Sequence, residues 1–242
     1  MPSIPLVLVG MWAAFTASRS LRQGFQARDA HLALGALILL ISELPPLAAW
    51  SGHSLPNHMV SHIVIMFLAP LFVAASGRTA PLTRVGHPLL AIVLLNGVMV
   101  ASHLPSIFNA TMANEALRAF VVEPLFFASG LYFFAFVLNV SPAVRLVKLR
   151  WQFIAVLTTT LVMFVLAMAM SIFTDHAWYS SMASMPGMAM AGDFRSQQLA
   201  AAILWICGDI WAVPVFVILV RRVISRDGSL FASLDRYASP SS

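Results

Sequence analysis

Two histidines four residues apart, His58 and His62, with Met66 four further on, lie in the otherwise apolar run from Asn57 to Pro70. On a helix, a step of 100° per residue carries each of the three only about 40° past the last, so they form one stripe. Two imidazoles and a thioether on one stripe suit a borderline-to-soft metal ion or a haem. An imidazole in hydrocarbon also needs partners for its ring nitrogens. Core histidines bonded to nearby backbone or water are therefore the alternative that this stretch leaves open.

The elements that position the stripe are membrane helices. The 242 residues are 60% hydrophobic and 10% charged, with mean hydropathy +0.87, where a soluble domain carries about 25% charge. The formal charge of +5 sits in short clusters between apolar runs, which sets orientation in a bilayer and excludes a nucleic-acid partner. The single cysteine, Cys207, excludes an intrachain disulfide and a cysteine-only metal cage. The N-terminus has no basic n-region and no Ala-x-Ala site, so its first apolar run reads as a retained span.

A spanning helix needs about 20 apolar residues, and seven candidates are expected: about 4–18, 31–49, 58–77, 87–103, 117–139, 151–173 and 197–220. All are apolar on every face and too long for barrel strands, so the fold class is an all-α polytopic helix bundle. Arg19, Arg22, Arg28, Arg78, Arg84, Arg145, Lys148, Arg150, Arg221, Arg222, Arg226 and Arg236 fall on one side, and Arg118 and Arg195 on the other. Positive charge marks the first side as cytoplasmic. The N-terminus and the loops 50–57, 104–116 and 174–196 are then outside and the C-terminus inside. Residues 1–224 read as one transmembrane domain, and 225–242 as a polar cytoplasmic tail expected to be disordered.

This topology sorts the reactive side chains. His53, His58, His62, His103 and His176 collect towards the outer face, whereas His31 and His87 begin spans on the cytoplasmic side and read as interfacial residues. Glu43 and Glu123 lie in the outer parts of spans two and five, as helix–helix glue or in a metal- or proton-related role. Met182, Met185, Met188 and Met190 crowd the loop after Asp175 and His176. Thioethers bind Cu(I) and have little use for hard ions; the alternative is an apolar re-entrant turn. Asp209 is near mid-membrane, with Asn96 at comparable depth. Cys207 reads as a small buried hydrophobe. Pro45-Pro46, Pro70, Pro124 and Pro214 should kink their spans or interrupt regular pairing.

Signatures of soluble enzymes are absent: no Gly-x-Gly-x-x-Gly, Walker sequence, His-Glu-x-x-His or Gly-x-Ser-x-Gly occurs. A b-type cytochrome using His62 and His103 as axial ligands would leave the methionine loop unused. A transporter relaying protons through Glu43, Glu123 and Asp209 would leave the histidines and methionines unexplained.

His58-Met59-x-x-His62 with Met66 and Ala69-Pro70 resembles the hallmark of the CtaG-type cytochrome c oxidase assembly factors. His103-Leu104-Pro105-Ser106-Ile107-Phe108-Asn109 is similar to the family's Trp-His-x-Pro-x-x-Tyr/Phe segment. Gln197-Gln198-Leu199-Ala200 leading to Trp205 looks like the start of its last span, and Arg19…Arg22 before span two also fits; together these motifs cover about residues 10–220. Ser102 departs from the tryptophan often found before the histidine, and Pro124 from a histidine after the acid in span five. Glu123 or His176 is then the candidate substitute ligand.

The resemblance implies a non-enzymatic, multi-pass protein of the bacterial inner membrane that assembles a haem–copper oxidase by handling copper at the outer, periplasmic face. On this expectation His58, His62 and His103 hold copper with Met66 capping them, and the methionine loop takes Cu(I) from a periplasmic copper chaperone. Oxidase subunits are the partners. A scaffold without metal and a b-type haem protein are the alternatives.

Overall fold

The computed structural model describes residues 2–21, 24, 26–79, 81–82, 87–138, 149–179 and 193–227, with backbone only at 21, 207–209 and 226–227. All regular structure among them is helical: α1 (Ile4–Leu21), α2 (Ala27–Glu43), α3 (Leu47–Ser51), α4 (Leu55–Ala75), α5 (Pro88–His103), α6 (Pro105–Ala113), α7 (Glu115–Leu138), α8 (Leu149–Ser171) and α9 (Phe194–Asp227). Runs of Leu, Val, Ala and Phe without polar partners can satisfy their backbone in lipid only by bonding within the segment, which selects helices.

Among the described residues, α4, α7, α8 and α9 are long and apolar enough to cross a bilayer, and α5 with α6 makes a fifth as a bent pair. This is fewer than the seven long spans expected, and prolines explain part of the difference. Leu44, before Pro45, is extended (φ −92°, ψ 146°), so α2 closes at Glu43 after 17 residues instead of continuing to 49. Leu104, before Pro105, is also extended (φ −65°, ψ 131°). Pro105 then opens α6 at 76° to α5, so much of the expected loop 104–116 is helix. Helix α9 runs to Asp227, past the expected start of the tail at 225; residues 228–242 lie outside the described residues.

Helix α4 is the hub. Its first half packs on α9, its second half on α2 and α7, while α7 also packs on α5, and α8 on α5 and α9. Two glycines set these approaches. A Cβ on Gly35 of α2 would stand 2.9 Å from the backbone nitrogen of Val73. One on Gly130 of α7 would stand 2.9 Å from the carbonyl carbon of Met66, with the carbonyl oxygen nearer still. Only a residue without a side chain lets the helices come this close.

Both α4 and α7 carry a π-turn, at Val64–Leu68 and Arg118–Val122. Each ends two residues before a proline, Pro70 or Pro124. A proline ring has no N–H to donate and would strike the carbonyl four residues back, that of Met66 or Phe120. The residue before each proline, Ala69 or Glu123, instead bonds five residues back, to the carbonyls of Val64 and Arg118. The extra residue in the turn accommodates the ring. The interruptions expected at Pro45-Pro46, Pro70 and Pro124 are present; Pro214 lies inside α9.

Candidate metal centre

The turn leading into α4 is pinned twice. The Ser54 hydroxyl caps the helix by accepting the Asn57 N–H at 3.3 Å, and Asn57 Nδ2 donates to the Trp50 carbonyl at 3.0 Å. The first half of α4 is regular, so His58 and His62 share a face, ring centroids 4.2 Å apart. His103, the last residue of α5, meets them from a second helix, its ring 6.0 Å from that of His62. Phe126 of α7 lies against His62 at 4.6 Å and Phe108 of α6 against His58 at 5.6 Å, both edge-on. His58 and His103 are buried. Nδ1 of His62 is buried with no hydrogen-bond partner among the described residues.

The proton of His103 can be placed. Its Nδ1 lies 2.7 Å from the Met99 carbonyl, which only accepts, and 3.2 Å from the Ser102 hydroxyl, which gives its own hydrogen to that carbonyl at 2.8 Å, so the neutral ring is assigned its hydrogen on Nδ1 and a lone pair on Nε2. That lone pair faces Met59 Sδ at 3.3 Å. Tyr179 closes the same end of the bundle. Its buried hydroxyl donates to the His103 carbonyl at 2.9 Å and its ring lies 4.1 Å from Phe108. Gln197 at the start of α9 ties this return segment down, accepting the Trp178 N–H at 2.6 Å and donating to the Met170 carbonyl at 2.7 Å.

Of the ligands expected from the sequence, His58, His62 and His103 are brought together. Met66 lies within the π-turn, where the regular 100° step no longer applies, and its side chain is part of the apolar core. His176 is exposed and pairs with Asp175 at 2.8 Å, a contact that holds the Asp175 carboxyl below its usual range. His53 is exposed against the Ala49 carbonyl at 2.7 Å. Glu43 is buried and accepts the Ser3 backbone N–H at 2.7 Å. Glu123 is buried and paired through Oε1 with Arg118, while its Oε2 is buried without a hydrogen-bond partner among the described residues. Arg118 acts electrostatically on Glu43, Glu123, His58 and His62 alike. Met182, Met185, Met188 and Met190 lie outside the described residues, as do the side chains of Cys207 and Asp209. Asn96 bonds to Thr159 at 3.0 Å. His31 stacks on Phe72, and His87 caps α5 by accepting the Leu89 N–H, so both have structural contacts at the opposite end.

Among the described residues, no three His, Cys, Asp or Glu side chains are set to hold a metal ion together. The three imidazoles are adjacent but packed at steep angles, 59° between His58 and His62 and 88° between His62 and His103. Convergence on one ion requires ring rotation or a ligand of another type. A half-open cleft of about 250 Å³, lined by Ser51, Met112, Glu115 and Arg118 among others, reaches His58 from outside the bundle.

A family model described as the cytochrome c oxidase caa3 assembly factor matches residues 11–226. The chain belongs to this family. No curated protein and no solved structure matches this assembly factor. Three residues of the assembly factor's site were not singled out as site residues in its sequence. Met59 is hidden by its place beside the histidine stripe rather than on it, and Tyr179 lies in a segment without periodicity. Arg118 enters the sequence reading only as one of two basic residues on the outer side, although a basic residue five before a buried acid is a readable signal.

Proposed function

We propose that this assembly factor binds copper as Cu(I) at the His58–His62–His103 cluster and passes it to a subunit of the oxidase whose assembly it serves. The observation that carries the reading is three imidazoles from two helices packed in the bundle, one with a buried nitrogen that lacks a hydrogen-bond partner among the described residues. Neutral nitrogen ligands in an apolar surround suit a monovalent, soft-to-borderline ion that must later be released. The cleft at His58 supplies access. The protein acts as a carrier, not a catalyst.

The distribution of Arg and Lys supports a seven-crossing chain in a bacterial inner membrane, with the cluster at the periplasmic end and the C-terminus in the cytoplasm. A periplasmic copper chaperone is then the donor. Met182, Met185, Met188 and Met190 follow the pinned Tyr179 in the sequence, and weak thioether ligands of this kind can take Cu(I) and hand it on. A haem is supported less, because the free nitrogen of His103 faces Met59.

Copper content after Cu(I) loading under reducing conditions tests the reading, together with oxidase assembly in cells. About one or more copper ions per chain, lost with assembly in His58→Ala/His62→Ala, is the expected result. Intact copper binding in that variant overturns the site. No copper in the wild type overturns the copper reading and leaves a scaffold that holds oxidase subunits through its helices.

A further inference from the structure

The contact between His103 and Met59 has no donor in it. With the Nδ1 hydrogen committed to Met99, the lone pair of Nε2 points at a thioether sulfur that offers only lone pairs of its own. Two acceptors buried face to face are mismatched in a filled core, and a cation between them removes the mismatch. The separation is also suitable. Two ligands on a tetrahedral ion, at about 2.0 Å for nitrogen and about 2.3 Å for sulfur, lie roughly 3.5 Å apart. The observed distance is 3.3 Å. Met59 is fully buried on α4, three residues before His62 and so its neighbour on the helix surface, at the flank of the stripe that carries His58.

We infer that Met59 is the sulfur ligand of the copper site, paired with His103 Nε2, and that it gives the site its preference for Cu(I). This deepens the copper reading and rests on it. The thioether is neutral and soft: it adds no charge in the membrane and favours Cu(I) over Zn²⁺ and Cu²⁺. It also resolves the poor convergence of the three imidazoles, since a nitrogen–sulfur pair from two helices already frames one position and His62 or His58 completes it by turning a ring. Met66, inside the π-turn and packed in the apolar core, has no part in the site.

The test uses the full chain with Met182, Met185, Met188 and Met190 replaced by leucine, so that no loop sulfur contributes. Cu(I) affinity is read by competition with a chromogenic chelator, Zn²⁺ binding is measured alongside, and X-ray absorption at the copper edge reports sulfur in the first shell. We expect sulfur beside nitrogen in this background. Met59→Leu should remove the sulfur and weaken Cu(I) binding by roughly tenfold or more, with Zn²⁺ binding retained, whereas Met66→Leu should keep the sulfur. Sulfur that persists in Met59→Leu, or that disappears in Met66→Leu, overturns the assignment while leaving a copper site in place. Failure of the background protein to bind Cu(I), or full binding in His58→Ala/His62→Ala, overturns the underlying site instead.

Discussion

Gly130→Ala adds one methyl group where α7 crosses α4. The new carbon would stand 2.9 Å from the Met66 carbonyl carbon and 3.1 Å from Pro70 Cγ, with the Met66 oxygen closer again. Ordinary contacts between carbons lie at about 3.5–4.0 Å. The nearest obstacle is backbone, so no rotamer change relieves it and the two helices must separate by about an ångström. Overpacking costs about 1–3 kcal/mol, and a rigid obstacle puts this case at the upper end. At about 2–4 °C per kcal/mol, a cost of about 3 kcal/mol lowers the unfolding midpoint by roughly 6–12 °C. Gly97→Ala on α5 is the control, because a Cβ there meets nothing within 4 Å and helix propensity favours alanine by about 0.8–1 kcal/mol. Thermal unfolding of both variants in one detergent, followed by helical circular dichroism, makes the comparison. A Gly130→Ala protein that melts with or above Gly97→Ala would refute the close approach of α7 to Met66.

Other perturbations test the site's supports. Pro70→Ala restores an N–H opposite the Met66 carbonyl and allows a regular helix through 64–68, which turns the histidine-bearing half of α4 by about one residue step, ~100°, against its lower half. The variant should keep its helix content and lose Cu(I) binding; unchanged Cu(I) affinity would show that the π-turn does not aim the histidines. Arg118→Ala leaves Glu123 buried without its cation, at a cost of about 3–5 kcal/mol, since the two side chains are only 22% and 9% exposed. Adding Glu123→Gln to Arg118→Ala should recover part of that loss, and a single variant as stable as wild type in denaturant or heat would rule the pair out as a structural contact.

The all-helical membrane character was legible without a structure, because lipid offers the backbone no partners and long apolar runs then have one way to fold. His58 and His62 were legible because they lie four apart on a regular turn. Their convergence with His103 was legible as a shared face and as a family motif, but not as a contact. The extents of α2 and α6 were misread because a proline acts on the residue before it. Leu44 and Leu104 are apolar enough to continue a span, yet both are forced out of the helical region.

What only the tertiary structure decided is which sulfur faces which nitrogen. Projecting Met66 onto the histidine stripe assumes a constant turn, and Pro70 breaks that assumption two residues after the π-turn ends. Met59 becomes the partner of His103 because α5 and α4 both pack on α7 at a particular depth, and for α4 that depth depends on Gly130 admitting backbone against backbone. Tyr179 reaches the His103 carbonyl across 76 positions of chain. Periodicity reports which face of one helix is apolar; the distance between two faces is set by the packing of every side chain between them.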